Sequence, residues 1–149
     1  MKADKMLQLE PVGPNNWREE LEVREDQKRF VSAPDRILAR AYAYRNLGGQ
    51  ARLILDGETP VGMLLYHDWP EAGQYVFSEL LIDQRYQRRG FGIAAARMAL
   101  DEMRADGRYP RVCLCYIEGD EPARNLYEKL GFAHTGEADG DEIIMELTL

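Results

Sequence analysis

The stretch that decides the fold is Gln87-Arg88-Arg89-Gly90-Phe91-Gly92, which follows the apolar run Leu80-Leu81-Ile82 and precedes an apolar stripe at helical spacing. It is therefore predicted to be a turn between the end of a strand and the start of a helix. Glycines in such a turn let backbone N–H groups approach a ligand closely and point toward one centre. The helix N-terminus adds partial positive charge, and Arg88 and Arg89 add full charges. This combination favours a bound pyrophosphate.

Two better-known phosphate-binding motifs do not match this stretch, because it lacks both the GKS/T ending of an ATPase loop and the pattern G-x-G-x-x-G. The remaining pattern, Q/R-x-x-G-x-G, has few constraints. For these residues alone, a basic glycine-containing turn without a ligand remains the alternative.

Periodicity and turn signals elsewhere predict an α/β fold of the α+β type, with one mixed sheet and helices on its faces. Strands are predicted over residues 6–12, 51–55, 61–67, 75–82, 112–116, 132–136 and 143–147. Helices are predicted from Trp17 with Asn15 or Asn16 as the cap, over 34–45, from Gly90 to Gly107, and from Asp120 to Gly131. No repeat or long linker divides the chain, so residues 1–149 are expected to form a single domain.

The composition argues against several classes of function. The 149 residues carry a net charge of -7, which disfavours nucleic acid as a partner because phosphate binding needs a basic face. No apolar run approaches the roughly 18 residues of a membrane span, and no signal peptide is expected. Cys113 and Cys115 are spaced as CxC without further ligands, so two thiols in a reducing cytoplasm are expected, and no metal site.

A second motif lies downstream, where residues 126–132 read LYEKLGF. Together with QRRGFG, a helix and a short strand, the run A-x-x-LYEKLGF resembles the GNAT superfamily of N-acetyltransferases. The resemblance implies a mostly antiparallel twisted sheet that is splayed where acetyl-CoA binds. It places the pyrophosphate on the backbone amides from Arg88 to Ile93, and the pantetheine arm between the strand ending near Ile82 and the strand 112–116. The cofactor-binding residues expected on this basis are Leu81, Ile82, Gln87, Arg88, Arg89, Gly90, Phe91, Gly92, Ile93, Asp120, Asn125 and Tyr127.

Acetyl transfer to an amine requires a neutral amine and protonation of the departing thiolate. At pH 7 the deprotonation of a primary amine costs about 4–5 kcal/mol. Similar family members place a glutamate on the strand before the pyrophosphate turn, so Glu79 is the predicted base, acting directly or through water. The LYEKLGF match makes Tyr127 the predicted acid. The alternatives are a solvent-facing glutamate and a core tyrosine. A backbone N–H near Leu81 or Ile82 is expected to bind the thioester oxygen.

Asp120 departs from the family, which often has Asn at this position. An ionised aspartate accepts hydrogen bonds but cannot donate them, so an amide contact to pantetheine is in doubt, whereas helix capping by Asp120 is still expected. Asn125 is a candidate for the missing contact.

The acceptor amine is predicted from the N-terminal region. Glu19, Glu22 and Asp26 fall at i, i+3 and i+7, so a helix from Trp17 would gather them on one acidic face suited to a polyamine. The runs N-W-R-E-E-L-x-V, D-Q-x-x-F-V and L-A-x-A-Y-x-Y resemble bacterial diamine and polyamine N-acetyltransferases.

Alternatives to a polyamine remain open. Interspersed basic residues also fit an ordinary solvated helix. Peptide or protein N-termini, aminoglycosides and amino acids are alternative acceptors, and a non-catalytic CoA-binding module is a further alternative. The family also suggests a homodimer, although the sequence shows no interface pattern.

Overall fold

The computed structural model describes residues 7–149. Segments with alternating apolar residues form the strands of a central sheet. Its strands are β1 (Leu7–Pro11), β2 (Arg52–Asp56), β3 (Thr59–Trp69), β4 (Gln74–Ile82), β5 (Arg111–Ile117), β6 (Ala133–Asp139) and β7 (Glu142–Thr148). The α-helices in the described range are α1 (Pro34–Ala43), α2 (Phe91–Asp106) and α3 (Glu121–Lys129). Met6, where the first strand was predicted to begin, lies outside this range.

The strands are ordered β1-β2-β3-β4-β5-β7-β6, and every neighbouring pair is antiparallel except β4 and β5. That parallel pair is joined only at Gln74↔Arg111, Tyr75↔Val112 and Val76↔Cys113. Beyond these positions β4 runs on to Ile82 and β5 to Ile117, but the two strands no longer pair with each other. The prediction of a mixed, mostly antiparallel sheet is confirmed, and the sheet opens between β4 and β5.

Helices cover both faces of the sheet, as predicted, because alternate strand residues point to opposite sides. On one face, Tyr75, Phe77 and Leu114 form a buried core with α2, and α3 packs at its margin through Tyr127 and Leu130. On the other face, a second buried core contains the residues Leu21, Val23, Ile37, Ala41, Ala51, Leu53, Met63, Leu65 and Leu81. The first face is called the α2 face below, and the second the α1 face.

The helix predicted from Trp17 is wrong. Residues 14–18 form turns, and the only helical segment before α1 in the described part of the chain is a single 3-10 turn at Glu25–Gln27. Asn16 caps a turn instead of a helix, because its Oδ1 accepts the N–H of Gly13 at 2.7 Å and its amide donates to the carbonyl of Pro11 at 3.1 Å.

The following residues are extended because they bond to a distant part of the chain. Leu21 and Val23 alternate inward and are buried in the second core. Between them, the N–H of Glu22 donates to Asp83 Oδ2, and the carbonyl of Glu22 accepts from the N–H of Gln84. Glu19, Glu22 and Asp26 therefore do not share a helical face.

The longest helix in the described range is α2, with 16 residues, and neither it nor any other helix there is long and apolar enough to cross a membrane.

Candidate functional site

The turn between β4 and α2 presents a row of backbone N–H groups to a cleft. Arg88 and Gly90 both have left-handed backbone conformations, with φ of 65° and 83°. The first bond of α2 runs from Ala94 N to Gly90 O, and within residues 7–149 the N–H groups from Arg88 to Ile93 donate to no protein acceptor. Such donors at a helix N-terminus suit an anion. The left-handed geometry of Arg88 costs about 1–2 kcal/mol, which is typical of strain kept at a ligand site.

Gly92 allows α3 to pack closely against the start of α2. A Cβ atom on Gly92 would lie 3.2 Å from Leu126 Cδ1 and 3.6 Å from Ile82 Cγ1. The contact with Leu126 is tighter than an ordinary side-chain contact, so a Cβ at this position would require the Leu126 side chain to shift by a few tenths of an ångström. The two motifs that were widely separated in the sequence therefore meet at this glycine.

A cleft of about 520 Å³ opens along this turn and continues between β4 and β5. Ten of the predicted cofactor-binding residues line it: Ile82, Gln87, Arg88, Gly90, Phe91, Gly92, Ile93, Asp120, Asn125 and Tyr127. Leu81 and Arg89 do not. The side chain of Leu81 is buried in the second core, and the guanidinium of Arg89 lies 5.7 Å from the ring centre of Tyr86.

Gln87 contributes to the cleft differently from what the motif suggested. Its side chain turns toward the N-terminal segment, where its Nε2 donates to Gln27 Oε1 and to the carbonyl of Ile82, both at 2.9 Å. Its Oε1 accepts from Arg24 Nη1 at 3.0 Å and from Gln27 Nε2 at 3.2 Å. The side chain is therefore saturated by protein partners, and only its backbone remains for a ligand.

Glu79 lies at the far end of the cleft, on the α1 face, and only 10% of its side chain is exposed. Its Oε2 accepts a hydrogen bond from Ser32 Oγ at 3.4 Å and lies 3.3 Å from Arg40 Nε. Burial raises the pKa of the Glu79 carboxyl above its ordinary value, although Arg40 and Ser32 act in the opposite direction. Glu79 is thus not the solvent-facing residue of the alternative interpretation, and a raised pKa suits a proton acceptor.

Tyr127 approaches the cleft from α3, on the α2 face of the sheet. Its ring packs edge-on against Phe77 and Phe132, with centroids 6.3 and 5.9 Å away. Burial, with the negative charges of Asp120 and Glu79, raises the pKa of the Tyr127 hydroxyl above its ordinary value. The hydroxyl is therefore protonated at neutral pH, which is the state that a proton donor needs.

Asp120 caps α3, as its position predicted, because its Oδ1 accepts the N–H of Ala123 at 3.3 Å. Burial raises the pKa of its carboxyl, although this hydrogen bond acts in the opposite direction. Asn125 is exposed on the same helix.

The three acidic residues predicted to bind the amine lie outside the lining of the cleft. Glu22 pairs with Lys28 at 3.4 Å, Asp26 pairs with Arg24 at 3.3 Å, and Glu19 is exposed. Their role in substrate binding stays a prediction, and the three side chains do not lie together on one surface of the cleft.

A different carboxylate, which the sequence had not singled out, acts electrostatically on Glu79. Glu142 pairs with Ile117 at the end of β5. Ile117 is two residues after Cys115, which lines the cleft. The charge of Glu142 contributes to the raised pKa of Glu79. Burial is the main cause that raises the pKa of Cys115, and the charge of Glu142 adds to it. No local sequence signal could identify Glu142, because its position depends on the pairing of β5 with β7.

Asp83, directly after β4, was also missed, although an aspartate after a buried strand is a common turn former. It is only 2% exposed and fixes the chain just before the turn from Arg88 to Ile93. Within residues 7–149, no group of three or more His, Cys, Asp and Glu side chains is arranged to hold a metal ion.

Comparisons with known proteins agree with this geometry. The model of the acetyltransferase (GNAT) family matches residues 14–132. The spermine/spermidine N(1)-acetyltransferase of Bacillus subtilis (strain 168) is 25% identical over 138 residues, which cover 85% of this chain and 88% of that protein.

Solved structures show the same fold. The spermidine N-acetyltransferase from Vibrio cholerae, in complex with CoA and spermine, aligns with a TM-score of 0.77 and 15% identity, covering 97% of this chain and 96% of that one. A GNAT family acetyltransferase from Elizabethkingia anophelis with acetyl-CoA bound aligns with a TM-score of 0.71 and 12% identity, covering 97% and 99%.

Proposed function

Because the chain belongs to the acetyltransferase (GNAT) family and is an acetyl-CoA-dependent N-acetyltransferase, we propose that it acetylates a primary amine of a diamine or polyamine, such as spermidine or spermine. The predicted family, enzyme class and cosubstrate are confirmed at the level of the family. The observation that carries the proposal is the buried carboxylate of Glu79 at the end of the cleft, on the opposite face of the sheet from Tyr127.

The turn from Arg88 to Ile93 fits the pyrophosphate of acetyl-CoA, because its N–H groups have no other partner within the described chain. Beyond Val76 and Cys113 the opened strands β4 and β5 leave backbone groups that suit the amides of a pantetheine arm. When bound there, acetyl-CoA supplies the thioester carbon that the amine attacks and the thiolate that leaves.

Glu79 and Tyr127 divide the proton transfers between them. As the amine nitrogen forms its bond to the acetyl carbon, it loses a proton to Glu79, directly or through a water. As the bond from carbon to sulfur breaks, Tyr127 gives its hydroxyl proton to the sulfur. The proton taken by Glu79 later passes to solvent, and Tyr127 regains one, so both groups return to their starting states. General acid and base catalysis of this kind contributes about 10²–10⁴-fold in rate.

The identity of the amine rests on the curated relative and on the charge of the α1 face. The negative charge of Glu142 acts on Glu79, and Asp139 pairs with Glu142 across the β6–β7 hairpin. An extended amine carries several ammonium groups, and each group that lies beside one of these carboxylates gains a charge-assisted contact.

A second class of acceptor is favoured by one observation. The positive charges of Arg36 and Arg40 also lie near Glu79, and both lower the pKa of its carboxyl. An amine that carries its own carboxylate, such as an amino acid or a peptide N-terminus, would find a guanidinium partner there.

The test is the release of CoA thiol from acetyl-CoA with a panel of amines that contains spermidine, spermine, putrescine, free amino acids, a peptide and an aminoglycoside. We expect the highest kcat/KM for a polyamine. A preference for a carboxylate-bearing amine would select the second class. No release above the hydrolysis background with any amine would instead favour the non-catalytic CoA-binding module.

Variants of the two proposed catalytic groups complete the test. Tyr127→Phe and Glu79→Gln are expected to lower kcat by about 10²-fold or more while the Kd for acetyl-CoA stays within about threefold. Tyr42→Phe is the matched control, because Tyr42 is exposed on α1 and outside the cleft lining. A wild-type kcat in Tyr127→Phe would remove its role as the acid.

The acceptor side is tested by the KM for spermidine. We expect Glu142→Gln to raise it by about tenfold or more, as for the loss of one charge-assisted contact of about 1.5–3 kcal/mol. If Gln variants of Glu19, Glu22 and Asp26 leave this KM unchanged, those three residues do not belong to the acceptor site. The homodimer suggested by the family remains a prediction, to be checked by light scattering in solution.

A further inference from the structure

Two segments that are distant in sequence are joined beside the cleft. The first, Glu22–Val31, is called the acceptor-side segment, because it lines the cleft through Val23, Arg24, Gln27, Phe30 and Val31 and leads directly into Ser32, which contacts Glu79. The second, Asp83–Gln87, is called the connecting turn, because it leads from the end of β4 into the N–H groups of Arg88–Ile93.

The side chain of Gln87 is the closest link between them. Its Oε1 accepts from Arg24 Nη1 and Gln27 Nε2, and its Nε2 donates to Gln27 Oε1 and to the carbonyl of Ile82. Gln27 Oε1 also accepts the backbone N–H of Arg24 at 3.1 Å. The paired amides of Gln27 and Gln87 thus connect the backbone of the acceptor-side segment to the last residue of β4.

Asp83 and Gln84 make a second connection at the other end of the turn. Asp83 Oδ2 accepts the N–H of Glu22 at 2.9 Å, and the N–H of Gln84 donates to the carbonyl of Glu22 at 2.8 Å. The first half of the acceptor-side segment is therefore attached to both ends of the connecting turn, at Asp83–Gln84 and at Gln87. The charged side chains Glu25 and Lys28 pair with each other at the surface.

This arrangement has a mechanical consequence. Gln87 directly precedes Arg88, whose left-handed backbone begins the anion-binding turn. A ligand that fixes the N–H groups of Arg88–Ile93 also fixes the backbone of Gln87. The amide of Gln87 cannot rotate without breaking bonds to Arg24 and Gln27, and each such bond contributes about 1 kcal/mol.

We propose that Gln87 is a positioning residue that couples the two substrates: acetyl-CoA bound at Arg88–Ile93 orders the acceptor-side segment, and an amine bound against that segment strengthens acetyl-CoA binding. The inference rests on the proposed position of acetyl-CoA at this turn. The coupling is reciprocal, because two ligands of one protein change each other's affinity by the same factor.

The first measurement follows amide hydrogen exchange of residues 22–31 with and without saturating CoA. In the wild-type protein, we expect CoA to slow exchange in this segment by about fivefold, which corresponds to one hydrogen bond held more firmly. In Gln87→Ala and Gln27→Ala, at CoA concentrations that a titration shows to be saturating, this slowing is expected to disappear. Gln27→Ala is the sharper variant, because the side chain of Gln27 contacts Arg24 and Gln87 but no residue of the anion-binding turn.

Two further variants separate coupling from simple damage. Glu25→Ala is the matched control on the same segment, because Glu25 pairs only with Lys28, and it is expected to keep the full effect of CoA. Gln27→Glu retains an oxygen that accepts from Arg24 N and Gln87 Nε2, so it is expected to restore most of the effect that Gln27→Ala removes.

The second measurement is the Kd of CoA with and without saturating amine, taken from the best acceptor in the panel. We expect amine to lower this Kd about fivefold in the wild-type protein and to leave it unchanged in Gln27→Ala. The inference is overturned if CoA does not slow exchange in residues 22–31, or if it does so equally in Gln27→Ala. Hydrogen exchange needs no acceptor, so a failure of the polyamine proposal would be recognised separately, by the absence of CoA release.

Discussion

Replacement of Asp83 by alanine is a direct test of how the turn before the proposed anion site is held. Asp83 Oδ2 accepts the N–H of Glu22 at 2.9 Å, and its Oδ1 accepts the N–H and Nε of Arg85 at 2.9 and 2.8 Å. Asp83→Ala removes these contacts, together with a longer one from Arg85 Nη2 to Oδ2 at 3.3 Å, and leaves two backbone N–H groups without their anionic partner. We expect this single change to loosen both the connecting turn and the acceptor-side segment.

The magnitude follows from the kind of contact that is lost. A hydrogen bond to a charged group contributes about 1.5–3 kcal/mol, and Asp83 provides one to each of two backbone N–H groups. The side chain of Arg85 is 61% exposed, so its ion pair with Asp83 adds little. Partial rehydration of the two N–H groups reduces the sum, so the free energy of unfolding is expected to fall by about 2–4 kcal/mol. For a protein of this size, that lowers Tm by roughly 4–16 °C.

The pH dependence gives a second readout with a definite sign. Burial alone would raise the pKa of Asp83, but the hydrogen bonds from Arg85 and Glu22 outweigh it, so the pKa is lowered. A carboxyl whose pKa is lower in the folded state stabilises the fold above its unfolded value of about 3.9 and loses that effect as pH falls through the folded value. The difference between wild type and Asp83→Ala is therefore largest at neutral pH and shrinks in acid.

Urea unfolding followed by circular dichroism, from pH 7 down to the lowest pH at which both proteins fold, measures this difference. Asp101→Ala is the control, because Asp101 is 76% exposed and pairs only with Arg104 at 3.4 Å, so a change within about 0.5 kcal/mol is expected. The reasoning is refuted if Asp83→Ala costs no more than Asp101→Ala at pH 7, or if its cost does not diminish in acid.

Two further expectations concern the cleft. Gly90→Ala forces an L-residue to a φ of 83°, at a cost of about 1–2 kcal/mol, so titration should show that the Kd for acetyl-CoA rises by about 5- to 30-fold. The control is Gly13→Ala, which should leave this Kd unchanged because Gly13 lies in open space without a positive φ. Glu79→Gln should raise Tm at neutral pH, because burial raises the pKa of Glu79 in the folded state and a carboxyl with a raised pKa destabilises the fold as pH rises through that value. Thermal scans from pH 4 to 8 should show that this gain vanishes in acid. A gain independent of pH would contradict the assignment.

The features that sequence reasoning predicted correctly depend on local pattern. Gly90 and Gly92 indicate a turn without reference to the rest of the fold. The apolar residues of α2 and α3 recur at helical spacing, which can be recognised without knowing their packing partners. The placement of Glu79 and Tyr127 in one cleft followed from a resemblance of motifs, and the structure brings both residues to that cleft.

The features that were missed depend on contacts between distant residues. Leu21 and Val23 point into one core because Glu22 between them bonds to Asp83 and Gln84, and no periodicity within residues 17–26 records those partners. The side chain of Gln87 also bonds to Gln27 and so is not free for a ligand, because the acceptor-side segment packs against it. Glu19, Glu22 and Asp26 share one face only if residues 17–26 form a helix, and they do not.

One inserted residue determines which side of the sheet carries the proposed base. The β3–β4 register passes from Leu65↔Glu79 to Tyr66↔Phe77, so Ser78 is the extra residue of a β-bulge. Strict alternation from Phe77 would place Glu79 on the α2 face, together with Tyr127. The bulge shifts the later residues of β4 by one position, so Glu79 joins the α1 face, where Ser32 and Arg40 contact it. Serine is not a strong signal for a bulge, so the opposition of Glu79 and Tyr127 across the opened sheet depends on a register that only the folded chain reveals.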